Sequence, residues 1–325
     1  MSSKLLQTLT TALLCFCIVK TATAQLQVGF YQRSCGFAEF FVKQQVRAAF
    51  INDNGVAAGL VRLHFHDCFV MGCDGSVLLD STKSNTAEKD SPPNNPSLRG
   101  FEAVDSIKTI LEAMCPGVVS CADILAFAAR DSIEITGGLG YDVPAGRRDG
   151  RVSLASEALK NLPPPTLDVN QLTNAFANKG LTQEEMVTLS GAHTLGRSHC
   201  TSFTNRLYNF NSNSSIDPTL DAMYASQLRR QCPQGGDASL VVPMEATPAT
   251  ADVAYYRGVA TNRGLFTSDQ TLLTDGKTKA QVFQNAQNPF LWRSKFASAM
   301  VNMGKIGVLT GNTGEIRKNC RVINS

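Results

Sequence analysis

Residues 62–70 have the sequence RLHFHDCFV, which places an arginine and a histidine four positions apart, directly before a segment rich in oxygen donors. In a helix, residues three and four positions apart lie on one face, so Arg62, Phe65 and His66 share a face and His64 points elsewhere. On that face His66 is a candidate acid and base, Arg62 is a fixed positive charge, and Phe65 is an apolar wall. The alternative is an exposed pair on a surface helix, which does not explain the donor-rich segment.

The first 24 residues have the pattern of a secretory signal. Lys4 precedes a short apolar stretch, and Ala22-Thr23-Ala24 matches the small-residue pattern of a cleavage site. A membrane span needs about 20 apolar residues, which argues against the alternative of a retained anchor, and no later run is long enough. We therefore expect residues 25–325 to form a secreted, soluble protein with no membrane association, whose N-terminal Gln25 can cyclise to pyroglutamate.

Charge and cysteine content limit the possible partners and metal sites. With Lys4 and Lys20 set aside, 28 basic residues face 27 acidic ones and no basic run occurs, so nucleic acid is not an expected partner. An even number of cysteines in a secreted chain predicts disulfides, and spacing alone leaves 105 pairings of eight cysteines open. The absence of any C-x-x-C pair and the oxidising compartment argue against a zinc site. The eight cysteines are Cys35, Cys68, Cys73, Cys115, Cys121, Cys200, Cys232 and Cys320.

The regular sequence patterns are mostly helical and predict an all-α fold with many loops. One apolar helical pattern stops at Cys115-Pro116-Gly117, and Ser120 with Asp123 predicts an N-terminal cap for a helix over residues 121–135. That helix is apolar on most faces and should lie at the centre of the molecule. A late helix carries Trp292, which we expect to pack as an ordinary core residue rather than to have a redox role.

The segment between Arg147 and Leu167 shows no regular pattern. It ends in Pro163-Pro164-Pro165, a stiff turn that cannot continue a helix. The segment is either a linker between domains or a rigid loop that lines a cleft, and its sequence is compatible with both.

A second histidine lies 127 residues after His66, in the sequence SGAHT at residues 190–194. Thr182 and Glu185 predict a capping box, so His193 should lie late in a helix, on the face of Met186 and Leu189. A histidine on an apolar helical face is usually a core residue with satisfied hydrogen bonds. The alternative is an axial ligand, since a neutral imidazole can bind iron and leave the opposite position open.

These two histidine segments resemble the distal and proximal motifs of the secretory plant haem peroxidases, the class III or horseradish peroxidase type. The resemblance covers essentially all of residues 25–325. It implies a two-lobed, all-α fold with one haem b between a distal and a proximal lobe. It also selects one disulfide pairing: Cys35–Cys115, Cys68–Cys73, Cys121–Cys320 and Cys200–Cys232.

The resemblance assigns roles on both sides of the haem. His193 would bind the iron and donate its other N–H to Asp269, which strengthens the ligand. His66 would act as general base and then acid, while Arg62 stabilises developing negative charge. Asn94, counted from the SLRGF segment at residues 97–101, would orient His66 through its second nitrogen.

Other functional residues are implied outside the catalytic set. Phe65 would be an apolar wall of the haem site, and the carbonyl of Pro163 would meet the hydroxyl group of a donor. The sequence Asn213-Ser214-Ser215 is a glycosylation signal at Asn213, as expected for a surface loop of a secreted protein.

The donor-rich segment after residue 66 predicts a distal calcium site, because calcium takes six to eight oxygen ligands, some of them from the main chain. Gly72 and Gly75 let the backbone bend so that carbonyls can turn inward. An ordinary Asp/Gly-rich turn is the alternative. The resemblance implies side-chain ligands at Asp67, Asp74 and Ser76, carbonyl ligands at Val70 and Gly72, and a water-mediated contact from Glu88.

A proximal calcium site is implied by a second ligand set, Thr194, Thr247, Thr250 through its carbonyl, and Asp252. The family usually has an aspartate three positions before residue 247, where this chain has Met244. Glu245 is one position closer and one methylene longer. It either substitutes for the aspartate, or the site is weak or empty.

These observations predict a secreted haem peroxidase, a monomer that reduces hydrogen peroxide and oxidises two phenolic donors by one electron each. Its expected roles are wall phenolic and lignin chemistry, peroxide removal and the oxidative stress response. A non-haem iron protein would want a third carboxylate ligand near the two histidines. An inert secreted scaffold or binding protein of the same fold is the other alternative. The sequence ends five residues after Cys320, without the extension of vacuolar relatives, so we expect the extracellular space or wall rather than the vacuole.

Overall fold

The computed structural model describes residues 25–325, so the proposed signal peptide at residues 1–24 lies outside the described residues. The all-α prediction is confirmed. Within residues 25–325 there are thirteen α-helices: α1 (Ala38–Asn52), α2 (Val56–Val70), α3 (Phe101–Met114), α4 (Cys121–Ile135), α5 (Ala155–Asn161), α6 (Val169–Ala177), α7 (Gln183–Ser190), α8 (Thr204–Leu207), α9 (Ala222–Gln231), α10 (Ala254–Ala260), α11 (Thr267–Gln270), α12 (Gly276–Gln287) and α13 (Pro289–Met303).

One small two-stranded antiparallel sheet, which the sequence patterns did not indicate, accompanies the helices. Its strands are β1 (Arg197–His199) and β2 (Val241–Pro243), and Ser198 pairs with Val242 at the centre. Val242 is buried in a small apolar cluster with the Cys200–Cys232 region. This sheet therefore holds the segment that follows His193 against residues 241–243.

Two large apolar clusters form the core and correspond to the two predicted lobes. The first cluster joins α1, α3 and α4, and the second joins α6, α7, α10, α12 and α13. Helix α2 belongs to both, because Leu60 and Leu63 pack in the first cluster while Val61 and Phe69 pack in the second. It is apolar and buried along most of its length, so it can form part of the boundary between the lobes.

The predicted start and position of α4 are confirmed. The Ser120 hydroxyl accepts a hydrogen bond from the Asp123 backbone N–H, at 3.1 Å. Twelve of its fifteen residues are buried, as expected for a central helix. Trp292 on α13 is also buried, and its indole N–H donates to the Thr188 carbonyl.

Two secondary-structure predictions were wrong. The segment predicted to be irregular contains α5, which has only seven residues and no side-chain cap, so its sequence signal is weak. The fully buried Ala158 packs α5 into the second cluster. The helix before His193 ends at Ser190, and His193 lies on a 3₁₀ turn, Gly191–Thr194. A 3₁₀ turn is a common ending for an α-helix. The packing there is tight, since a Cβ on Gly191 would lie 2.6 Å from both Trp292 Nε1 and the Tyr256 hydroxyl.

All four predicted disulfides are confirmed: Cys35–Cys115, Cys68–Cys73, Cys121–Cys320 and Cys200–Cys232. The third joins residues 199 positions apart and ties the start of α4 to the C-terminal segment. In the chain-entropy model a loop of that length contributes roughly 5 kcal/mol to stability. None of the helices in residues 25–325 is long and apolar enough to cross a membrane.

Candidate active site

Helix α2 places the distal arginine and histidine in direct contact, as its period predicts. Arg62 Nε donates to Nε2 of His66 at 3.1 Å, and its two terminal nitrogens donate to the Ser97 hydroxyl and the Pro93 carbonyl at 2.9 and 3.0 Å. Burial, with the nearby charge of Arg99, lowers the pKa of Arg62 to about 10, so the side chain stays charged at neutral pH. The arginine is therefore a cation held in one orientation.

Asn94 holds the other nitrogen of the distal imidazole. Nδ1 of His66 lies 2.6 Å from Oδ1 of Asn94, whose amide nitrogen donates to the Glu88 carbonyl at 2.7 Å. Because Oδ1 can only accept, the proton lies on Nδ1 and the lone pair lies on Nε2. Burial, with the charge of Arg62, holds the pKa of His66 well below its ordinary value, although the bond to Asn94 opposes this. The imidazole is neutral and can accept a proton at Nε2.

His64 takes no part in this arrangement, as expected from its position on the helix. It is buried, with Nδ1 3.7 Å from the Sγ atom of Cys68. Burial, with the charge of Arg147, lowers the pKa of His64 to about 3. It is a neutral core residue.

The proximal histidine has one nitrogen held and the other free. Nδ1 of His193 lies 2.7 Å from Oδ1 of Asp269, across 76 positions in the sequence. Nε2 has no hydrogen-bond partner in the described part of the chain, and the side chain is 40% exposed although its surroundings are largely buried. Tyr255 and Phe266 flank the ring edge-on, with centroids 5.8 and 5.3 Å away. An imidazole with one free nitrogen and a carboxylate on the other is suited to bind a metal.

Tyr255 is a member of this site that the sequence patterns did not reveal. Its hydroxyl donates to Oδ1 of Asp269 at 3.0 Å. Burial, followed by the charge of Asp269, raises the pKa of Tyr255 well above its ordinary value, so the hydroxyl keeps its proton. The adjacent pair Tyr255-Tyr256 near the start of an apolar helix is a weak signal, because tyrosines in such places are common core residues.

The residues on the two sides fit a haem. The free Nε2 of His193 would bind its iron, and Arg62 and His66 would supply polar groups to the reaction. Helix α2 and the segment after His193 approach closely, since a Cβ on Gly196 would lie 2.8 Å from that of Ala58. Phe65 is partly buried against Phe69, with ring centroids 4.3 Å apart, and its role as an apolar wall stays a prediction.

The predicted distal calcium residues converge on the loop after α2. Oδ2 of Asp67 accepts from the Gly75 backbone N–H at 2.9 Å, and Oδ1 of Asp74 accepts from that of Ser76 at 3.0 Å. The Ser76 hydroxyl and both carboxylate oxygens of Glu88 are buried without a hydrogen-bond partner among the described residues. Burial, with the charge of Asp74 beside it, raises the pKa of Glu88 to about 8. Buried carboxylates and orphaned oxygens at one place fit a cation.

Carboxylates alone do not complete that site. Within residues 25–325, no three His, Cys, Asp or Glu side chains come together closely enough to hold a metal. A bound ion would therefore also depend on the Ser76 hydroxyl and on carbonyls. The Val70 carbonyl accepts from Lys179 Nζ at 3.2 Å, and that of Gly72 accepts from the Asp74 backbone N–H at 2.8 Å. Each carbonyl keeps a second lone pair.

The predicted proximal calcium residues also converge, and Glu245 is among them. The Thr194 hydroxyl lies 3.1 Å from Oδ1 of Asp252 and 3.4 Å from the Thr250 carbonyl. The Thr247 hydroxyl lies 3.0 Å from Oδ2 of Asp252 and 3.0 Å from Oε1 of Glu245. Burial, with the charge of Asp252, raises the pKa of Glu245, although bonds from Thr247 oppose this. These oxygens fit a second cation.

Met244 does not contribute to this group of oxygens. Its side chain is buried in the small apolar cluster beside the two-stranded sheet, with Val242 and Leu265. Glu245, the next residue, is about half buried and turns towards Thr247. A carboxylate from position 245, rather than from position 244, therefore contacts the Thr247 hydroxyl.

The remaining predicted residues lie at the surface or near it. Pro163 is partly exposed, and the same proline segment is fixed beside Asp269 because the Ser268 backbone N–H donates to the Pro165 carbonyl at 2.9 Å. Asn213 is exposed in a turn, which an attached glycan requires, and Gln25 is exposed at the start of the described residues. Their roles stay predictions.

Comparison with known proteins identifies relatives over nearly the whole chain. The family model described as Peroxidase matches residues 42–288. Peroxidase 5 of Vitis vinifera is 71% identical over 319 residues, which cover 98% of this chain and 97% of that protein. Peroxidase 1 of Zea mays is 51% identical, covering 96% of this chain and 86% of that protein. Peroxidase 3 of Arabidopsis thaliana is 49% identical, covering 95% of each.

Proposed function

Because the chain belongs to the class III plant peroxidase family, and is a peroxidase that depends on hydrogen peroxide, we propose that it works with haem b bound to His193. The observation that carries this proposal is the difference between the two histidines. His66 is neutral and lies against a fixed cation, whereas His193 is backed by a carboxylate and has a free Nε2. One is equipped to move a proton and the other to bind iron.

The distal residues would handle the protons of hydrogen peroxide. Nε2 of His66 would accept a proton from one oxygen of the peroxide and deliver it to the other oxygen, which would leave as water. The lone pair of Nε2 accepts from Arg62 Nε, so this contact has to open when peroxide arrives. The freed guanidinium N–H can then donate to the oxygen on which negative charge develops.

The proximal residues would supply the axial ligand and its electronic support. Haem bound there would provide the two electrons that cleave the peroxide O–O bond and recover them from two donor molecules, one electron each. Asp269 accepts the N–H of His193, which makes the imidazole a stronger ligand.

We propose phenolic donors that approach the partly exposed Pro163, whose carbonyl can accept a phenol hydroxyl. The Pro165–Ser268 hydrogen bond supports this assignment, because it fixes the proline segment beside the proximal carboxylate.

Secretion, a wall or extracellular location and a glycan at exposed Asn213 belong to the same proposal. Calcium at the distal and proximal loops does as well, supported by the orphaned oxygens of Glu88 and by the convergence on Asp252.

This function is tested by absorption spectra of the purified protein and by assays of phenol oxidation with and without added peroxide. A Soret band would report haem, and peroxide-dependent oxidation of a phenol would report turnover. A protein that binds haem but oxidises no phenol would support the alternative of an inert scaffold, which nothing in the described site favours. A protein without a Soret band after reconstitution with haem would refute the proposed cofactor.

A further inference from the structure

One oxygen of Asp269 accepts hydrogen bonds from two side chains. Oδ1 lies 2.7 Å from Nδ1 of His193 and 3.0 Å from the hydroxyl of Tyr255, while Oδ2 accepts from the Phe266 backbone N–H at 2.9 Å. Asp269 is 1% exposed, and within residues 25–325 it forms no ion pair with a lysine or an arginine. Its negative charge is therefore stabilised by these three donors alone.

Two donors on one carboxylate oxygen compete for the same charge. A hydrogen bond to an ionised acceptor is stronger than a neutral one, and burial increases its strength. A stronger hydrogen bond from the Tyr255 hydroxyl to Asp269 therefore weakens the hydrogen bond that Asp269 accepts from the N–H of His193. The pull on that N–H determines how basic the other nitrogen of the imidazole is, and therefore how strongly it donates to a metal.

The neighbouring tyrosine provides a natural comparison. Tyr256 donates to the carbonyls of Val187 and Thr188 at 2.8 and 3.0 Å, and its ring packs edge-on against Trp292. Both tyrosines are buried and lie on α10. Of the two, Tyr255 contacts the carboxylate and packs edge-on against His193, whereas Tyr256 donates to the backbone of α7. Tyr256 therefore controls for the loss of a buried phenol hydroxyl on the same helix.

We infer that Tyr255 is a positioning residue for the proximal ligand, because its hydroxyl takes part of the Asp269 charge and limits the imidazolate character of His193. The inference rests on the proposed function, since it requires haem bound at His193. It adds a residue that the established peroxidase activity does not specify. It predicts that the reduction potential of the iron depends on the Tyr255 hydroxyl, which makes no hydrogen bond to His193 itself.

The test compares the Tyr255→Phe and Tyr256→Phe holoenzymes with the unchanged protein. Each substitution removes one hydroxyl and keeps the ring, so the packing of α10 is retained. We expect Tyr255→Phe to lower the Fe(III)/Fe(II) midpoint potential and to raise the Fe–His stretching frequency of the ferrous enzyme. Tyr256→Phe should leave both at their original values.

A double variant separates charge sharing from packing. In the Asp269→Asn background there is no charge to share, so adding Tyr255→Phe should produce no further shift in potential. An unchanged or raised potential in Tyr255→Phe, or an equal shift in Tyr256→Phe, would overturn the inference. If the unchanged protein shows no Soret band or no Fe–His band, the proposed haem ligand is refuted instead. Failure of the proposed function can therefore be distinguished from failure of the inference about Tyr255.

Discussion

Replacing Asn94 by alanine should reduce both activity and stability, by different amounts and for different reasons. Asn94 joins Nδ1 of His66 to the Glu88 carbonyl through bonds of 2.6 and 2.7 Å, and it is 1% exposed. Two buried hydrogen bonds contribute about 1 kcal/mol each, and a buried group left unpaired costs about 1–3 kcal/mol more. We therefore expect the free energy of unfolding to fall by about 3–5 kcal/mol.

The effect on activity follows from the tautomer of His66. With its acceptor gone, the imidazole can carry its proton on Nε2, where it cannot accept one from peroxide. A bond of about 1 kcal/mol holds the productive tautomer, so its loss should slow the reaction with peroxide by about fivefold. Stopped-flow measurement of the haem absorbance after mixing with peroxide gives this rate, and urea unfolding followed by circular dichroism gives the stability.

Asn170→Ala is the matched control for this variant. Asn170 is exposed on α6, and its side chain makes no hydrogen bond with the described residues, so both measurements should stay at their original values. If Asn94→Ala reacts with peroxide as fast as the unchanged protein while its stability falls, Asn94 has only a structural role. The assignment of the Nδ1–H tautomer to His66 would then be wrong.

Three further outcomes are expected. His66→Ala should keep haem bound but react with peroxide roughly 10²–10⁴-fold more slowly in stopped flow, as is typical when a general acid and base is lost; an unchanged rate would exclude His66 as the base. His193→Ala should lose the axial imidazole signature in electronic and resonance Raman spectra, and an unchanged signature would mean that another residue is the ligand. Limited chelation should release the proximal calcium first, because Glu245 is half buried whereas the distal Asp67 and Glu88 are fully buried. Elemental analysis should then find one calcium in Glu245→Ala and two in the unchanged protein, and two equally tight sites in both would contradict the prediction.

Local sequence patterns predicted the elements whose stabilising contacts are close in sequence. Arg62 and His66 meet because they are four positions apart in a helix, and both bonds of the Thr182–Glu185 capping box form as expected. Ser120 caps α4 for the same reason. Such contacts depend on the backbone geometry of a single turn, so a few residues specify them.

The resemblance to a known family supplied positions that no local pattern could have given. It placed Asp269 with His193 and Asn94 with His66. It also selected one of the 105 ways in which eight cysteines can pair into four disulfides. It did not supply their geometry. The role of Glu245 stayed open in the sequence. In the structure its carboxylate contacts Thr247, while Met244 packs in the small apolar cluster.

The sequence by itself determined the helical period of α2, the two histidine segments and the family to which they point. Only the tertiary structure decided that His193 leaves the helix on a 3₁₀ turn, and that Tyr255 shares Asp269 while Tyr256 donates to the backbone of α7. Neighbouring residues on a helix point in different directions, so adjacency does not reveal which one meets a distant carboxylate. The packing of α7, α10 and α13 around Gly191 makes that choice, because contacts between elements depend on the shapes of all the side chains that meet there.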